Sequence, residues 1–94
     1  MIEYLFEWDS DKSSTNQTKH GISFEDVKVL WSNPNALVLY ERSIDDEDRY
    51  SIVGYIDERC YTGIFTFRDE KIRIISVRRC RKKEKQRFEN ENNS

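Results

Sequence analysis

An α+β fold in the order β-α-α-β-β-β-β-α is predicted by three features of this 94-residue sequence. Apolar residues recur at helical spacing from Phe24 to Trp31. Between residues 36 and 78 they give way to short blocks rich in β-branched and aromatic side chains. A helix-friendly, basic run of Lys, Glu, Gln and Arg follows Arg79. The expected architecture is two N-terminal helices packed on an antiparallel sheet, with a basic C-terminal helix. The length suits one domain, residues 1–94, and hydrophobic residues are only 36% of it, so five Phe, five Tyr and two Trp must carry a thin core.

Each element has a local reason. Glu3 to Trp8 is short and aromatic-rich, as a first strand would be. Asp9 or Ser10 can cap a helix that runs to about His20, and Gly21 supplies the left-handed residue that ends it. The Ser/Thr/Asn content of residues 13–18 gives that helix poor propensity, so packing must hold it. Ser23 caps a second helix, with Asp26 three residues on as an approximate capping box. Phe24, Val27, Leu30 and Trp31 face the core, and Asn33-Pro34-Asn35 stops the helix. Strands are expected at Ala36–Arg42, Arg49–Asp57, Cys60–Arg68 and Ile72–Arg78. Tight turns at Asp57–Arg59 and Asp69–Lys71 make neighbours antiparallel, whereas acidic Ser43–Asp48 reads as a solvated loop. The last helix extends to about Glu89 with residues 90–94 frayed; Phe88 is its one strongly apolar residue, which suggests a mobile electrostatic arm.

Charge is unevenly placed. Residues 1–70 hold 15 acids and 7 bases, a net −8, while residues 71–94 hold 9 bases and 3 acids, a net +6. This asymmetry points to a polyanion or an acidic partner near the C-terminus. No run approaches a membrane span and Met1–Tyr4 has no signal-peptide character, so a cytoplasmic protein is expected. Cys60 and Cys80 read as two reduced, semi-buried thiols, and with a single histidine they make a poor metal-ligand set.

Uniform pleating of the final strand puts Arg73, Ile75, Val77 and Arg79 on one face and Ile72, Ile74, Ser76 and Arg78 on the other. Two helices cover one sheet face, so arginines on the open face would form a platform for an extended nucleic-acid strand. The plainer reading of Arg73 is a charged guard on an edge strand. His20 can exchange a proton near neutral pH or simply cap its helix. Arg49 is expected to be held by Glu47 or Asp48, either for function or as a surface ion pair.

Taken together, Phe6-Glu7-Trp8-Asp9, Asn16, Lys19-His20-Gly21-Ile22-Ser23-Phe24, Glu47-x-Arg49 with Gly54, and Ile72-Arg73-Ile74-Ile75-Ser76-x-Arg78-Arg79 with Glu84 resemble the BrnT family. The resemblance covers about residues 6 to 88. It implies a type II toxin: a metal-independent, cofactor-free ribonuclease of RelE-like fold that inhibits translation. It also implies a BrnA-like antitoxin with a ribbon-helix-helix region, a toxin–antitoxin heterotetramer, and operator DNA contacted only through the antitoxin. Two positions depart from the family pattern: Phe88 stands where Tyr is frequent, and Val77 where Ala is usual. On this reading RNA is cut by transesterification through the ribose 2′-hydroxyl. Arg49, Arg73 and Arg78 stabilise phosphoryl charge, Lys19 or His20 moves protons, and Glu47 orients Arg49 or acts as base. Arg79, Arg81, Lys82 and Lys83 are expected to contact RNA. The rival reading is a module that binds nucleic acid or docks a partner through the same basic surface without cutting.

Overall fold

The computed structural model of the chain describes residues 4–92. The first helix, α1 (Ser10–His20), is bounded as its sequence requires. The Asp9 carboxylate accepts from the N–H groups of Asp11 and Lys12 at 2.9 and 3.2 Å, and Gly21 closes the helix at φ 75°. Polar contacts hold this helix in place of an apolar stripe. Buried Asn16 donates through Nδ2 to the Ile22 carbonyl (2.9 Å) and accepts through Oδ1 from the Val77 N–H (3.1 Å). Ser13 Oγ accepts from the Phe24 N–H at 3.0 Å. The low-propensity Ser/Asn segment thus stitches the helix to the rest of the fold.

The second helical stretch is shorter than its periodicity predicts. After Ser23 caps α2 (Phe24–Val27), residues Lys28–Ser32 tighten into a 3-10 turn. That turn presses Leu30 onto Gly54, where an added Cβ would meet Leu30 Cδ2 at 2.9 Å. Gly54 is therefore required for close approach.

Five strands form one sheet in the order β1-β5-β4-β3-β2: β1 (Phe6–Glu7), β2 (Leu37–Ile44), β3 (Glu47–Ile56), β4 (Arg59–Arg68) and β5 (Lys71–Arg79). The sheet is mixed, which corrects the all-antiparallel expectation. The short β1 lies parallel to β5, pairing Phe6 with Ile72 and Glu7 with Arg73. Glu3, expected to begin that strand, lies outside the described residues. The solvated loop expected at Ser43–Asp48 is instead a two-residue turn, because β2 and β3 pair out to Ile44 and Glu47. All three hairpins turn on two acidic residues with positive φ: Asp45-Asp46 (51°, 62°), Asp57-Glu58 (49°, 70°) and Asp69-Glu70 (52°, 65°). Such turns match the strand twist but ordinarily recruit Asn or Gly, so the acidic composition disguised one of them as a loop.

The main core lies between the helices and one sheet face, around Phe24, Val27, Leu30, Ile52, Phe65, Ile74 and Val77. A smaller cluster on the opposite face joins Val53 and Cys60 to Phe88. Phe88 belongs to α3 (Lys82–Asn92), which is docked and is not a free arm. Tyr55 donates its hydroxyl proton to Glu89 at 3.0 Å, and Asn92 donates to the Asn35 carbonyl at 3.3 Å, so helix replaces the fraying expected at 90–92. Residues 93–94 of that expected tail lie outside the described residues. The cysteine expectation is also overturned: Cys60 and Cys80 form a disulfide with Cα atoms 5.3 Å apart. Twenty residues separate them in sequence, but the β4–β5 hairpin sets them side by side.

Candidate active site

On the sheet face away from α1 and α2, two β-bulges decide which side chains meet. Tyr40 pairs with Tyr50 but Arg42 with Arg49, leaving Glu41 as an extra residue in β2. Ile64 pairs with Ser76 but Phe65 with Ile74, leaving Ile75 extra in β5. Each bulge resets the alternation of inward and outward residues. In β5 this keeps Ile72, Ile74 and Val77 all buried under the helices. It also brings Arg73 and Arg78 to the same open face, which corrects the uniform pleat that separated them.

Three cross-strand rows result. The first runs Arg42–Arg49–Thr66–Arg73 and ends at Glu7, crossing all five strands. The second is Leu39–Ser51–Ile64–Ser76, and the third Leu37–Val53–Thr62–Arg78. Between them lies a depression of about 460 Å³ lined by Glu41, Arg42, Ile44, Arg49, Ile64, Ile75, Ser76, Arg78 and Arg81. That volume falls in the ordinary range of small-ligand sites, roughly 300–1000 Å³.

Charge here is far from balanced. Arg42 and Arg49 face each other directly, a like-charge pairing that costs stability, and neither has an ion pair among the described residues. Arg49 Nε is buried without a hydrogen-bond partner among the described residues. Arg73 reaches Glu7 Oε2 at 3.4 Å.

Arg78 is rigidly clamped. Its Nη1 and Nη2 donate to Glu84 Oε1 and Oε2 at 2.6 and 2.8 Å. The same carboxylate accepts from Thr62 Oγ1 (3.1 Å) and from the Arg81 N–H (2.8 Å), capping the first turn of α3. Burial alone would raise the Glu84 carboxyl, but the Arg78 fork, the Arg81 N–H and Thr62 outweigh it and hold it at about 2. Hydrogen bonding to Glu84 raises Arg78 against its own burial, with the charges of Glu84 and Glu41 adding to the effect.

The sequence-predicted residues divide accordingly. Arg49, Arg73, Arg78 and Arg81 come together on this face. Lys19 and His20 are exposed at the end of α1, line no part of the depression, and have no hydrogen bond or ion pair to these arginines. Glu47 does not hold Arg49; it forks with Arg68, Nη2 to Oε2 at 2.9 Å. Asp48 does not hold Arg49 either, since its carboxylate accepts from the Tyr40 hydroxyl at 3.2 Å. Because hairpin pairing puts Glu47 and Asp48 at the sheet end, the residue before Arg49 in sequence is not its partner in space. Arg79 lies across the sheet from Arg78, 5.7 Å from the centre of the Tyr61 ring on the helix side. Lys82 and Lys83 are exposed in the first turn of α3. Sequence reasoning missed Glu41, Arg42 and Ser76, since periodicity carries no sign of a bulge.

The arrangement can bind a phosphate chain and stabilise charge growing on it, because guanidinium forks match phosphoryl oxygens and stay protonated. Among the described residues no group of His, Cys, Asp and Glu could hold a metal ion, and no helix is long and apolar enough to cross a membrane. Residues 8–84 match the family model described as ribonuclease toxin, BrnT, of type II toxin–antitoxin system. No curated protein matches the chain.

Proposed function

Because the chain belongs to the BrnT family of ribonuclease toxins of type II toxin–antitoxin systems, we propose that it is a metal-independent endoribonuclease acting on the arginine face of its sheet. The observation that carries this is the Arg42–Arg49–Thr66–Arg73 row beside the clamped Arg78, on the face that α1 and α2 leave free. A phosphodiester laid along the depression meets Arg49 from β3 and Arg78 from β5, with Arg73 beyond them in the cross-strand row. The 2′-hydroxyl attacks the neighbouring phosphorus, and a 2′,3′-cyclic phosphate and a 5′-hydroxyl are left. The arginines stabilise the extra charge on the phosphoryl oxygens, the largest contribution in sites of this kind. Their combined positive charge repels a divalent cation, which supports chemistry without metal. Arg81 lines the depression, and Lys82 and Lys83 follow it in the exposed first turn of α3, where their charge draws RNA in. No step is routed through Lys19, His20 or Glu47, which lie away from the depression.

In the cell this activity inhibits translation and is held in check by an acidic or phosphate-mimicking surface of a BrnA-like antitoxin, which alone contacts operator DNA. The deciding experiment incubates purified protein with end-labelled RNA in EDTA. Fragments with cyclic phosphate ends, absent when the substrate is 2′-deoxy at the cut, are expected. Intact RNA with a salt-sensitive gel shift would instead establish binding without cutting.

A further inference from the structure

A reaction that begins with a 2′-hydroxyl needs somewhere for its proton to go, and the arginine face constrains the choice. Of the residues lining the depression, Ile44, Ile64 and Ile75 are apolar and Ser76 is a neutral hydroxyl. The four arginines there remain protonated at any working pH. Glu41 is the one lining side chain able to take a proton.

Its placement is specified by the backbone. Glu41 is the extra residue of the β2 bulge, and with regular pairing its side chain would alternate away from that of Arg42. Alternation from Leu39 sets Glu41 on the open face, and the bulge adds Arg42 beside it; there the Ser51 hydroxyl donates to Glu41 Oε2 at 3.0 Å. Ser51 is itself buried, so it fixes the carboxylate, and Oε1 has no hydrogen bond among the described residues. Charged groups surround it: Arg42 on its own strand, Arg49 on β3, Arg78 on β5, Arg81 before α3, and Glu84 on α3 behind Arg78. Glu41 is near enough to Arg78 for its charge to act on that guanidinium.

We propose that Glu41 is the general base of the cleavage, taking the 2′-hydroxyl proton on Oε1 while Ser51 holds Oε2. The inference rests on the ribonuclease reading above. As the proton moves to Glu41, the bond from the 2′-oxygen to phosphorus forms and the bond from phosphorus to the 5′-oxygen breaks. The departing 5′-oxygen takes a proton from solvent water, and Glu41 returns its own to solvent, so nothing is consumed.

The test compares the wild-type chain with Glu41→Gln and Glu41→Asp in RNA cleavage across pH. Glu41→Gln keeps the shape and an oxygen for Ser51 to donate to, and circular dichroism verifies that each variant is folded. The expected result is a kcat for Glu41→Gln lower by about 10²–10⁴-fold with KM little changed. The acid limb of the pH–rate profile should disappear in Glu41→Gln, and Glu41→Asp should recover part of the rate with that limb restored. A Glu41→Gln enzyme that cuts at the wild-type rate, or that keeps the acid limb, overturns the assignment while leaving the ribonuclease reading intact. A wild-type protein that does not cut RNA overturns both.

Discussion

Under α1 and α2 the sheet presents Ile52, Phe65, Ile74 and Val77, nearly inaccessible to solvent and packed against Phe24, Val27 and Leu30. The reverse side of the same strands presents Arg42, Arg49, Arg73 and Arg78 beside Ser51, Thr62 and Thr66. One side contributes burial, the other concentrates like charge at a cost in stability that makes sense only when a polyanion arrives. Substitutions should therefore differ in kind, with the largest loss of stability on the first side and losses of RNA chemistry on the second.

The largest stability effect belongs to the helix side. Phe65→Ala should cost about 3–5 kcal/mol, a large part of a small domain's total, measured by denaturant unfolding. Next is the Cys60–Cys80 disulfide, which closes a loop of sequence separation 20. Its reduction should cost about 3 kcal/mol in the same assay, with the Cys60→Ser/Cys80→Ser pair behaving like the reduced chain. Glu84→Ala removes the Arg78 clamp and the α3 cap together and should cost about 2 kcal/mol.

The same carboxyl predicts a pH dependence. Its folded pKa of about 2 lies below the ordinary 4.5, so its contribution is complete above pH 4.5 and is lost as pH falls toward 2. Thermal midpoints of the wild type should therefore drop across that window more than those of Glu84→Gln.

Smaller effects sharpen the other side of the contrast. Arg49→Met removes one of two opposed charges and should leave stability unchanged or raised by a few tenths of a kcal/mol. RNA binding should weaken, and the slope of log K against log salt should fall by about 1. Glu70→Gly relieves a left-handed glutamate at φ 65° and should add up to about 1 kcal/mol, less what glycine costs in chain entropy.

How much was legible in the sequence follows the same division. Helix boundaries came from Asp9, Gly21 and Ser23, whose effects are local. The helix-side core came from Phe24, Val27 and Leu30, whose spacing is regular. The arginine face was only partly visible, because an extra residue at Ile75 or Glu41 leaves no trace in a two-residue period until the register with the neighbouring strand is known. Arg73 and Arg78 stood out as candidates, but a straight pleat set them on opposite faces. Glu84 stood in the motif without a role, since its partners Arg78 and Thr62 are defined by the docking of α3. The β1 direction and the disulfide were hidden for a similar reason: both depend on which strand lies alongside, over long sequence separations.

Arg78 and Arg79 give the most direct test of the account, since they are adjacent in sequence and lie on opposite faces of the sheet. Cleavage of RNA in EDTA by folded Arg78→Met and Arg79→Met proteins should be compared with wild type at saturating RNA. Arg78→Met is expected to lose at least about 100-fold in rate. Arg79→Met, which loses a contact to Tyr61 on the helix side, should change it by less than about fivefold. Equal losses in the two variants, or a greater loss at Arg79, would contradict the assignment of chemistry to the arginine face.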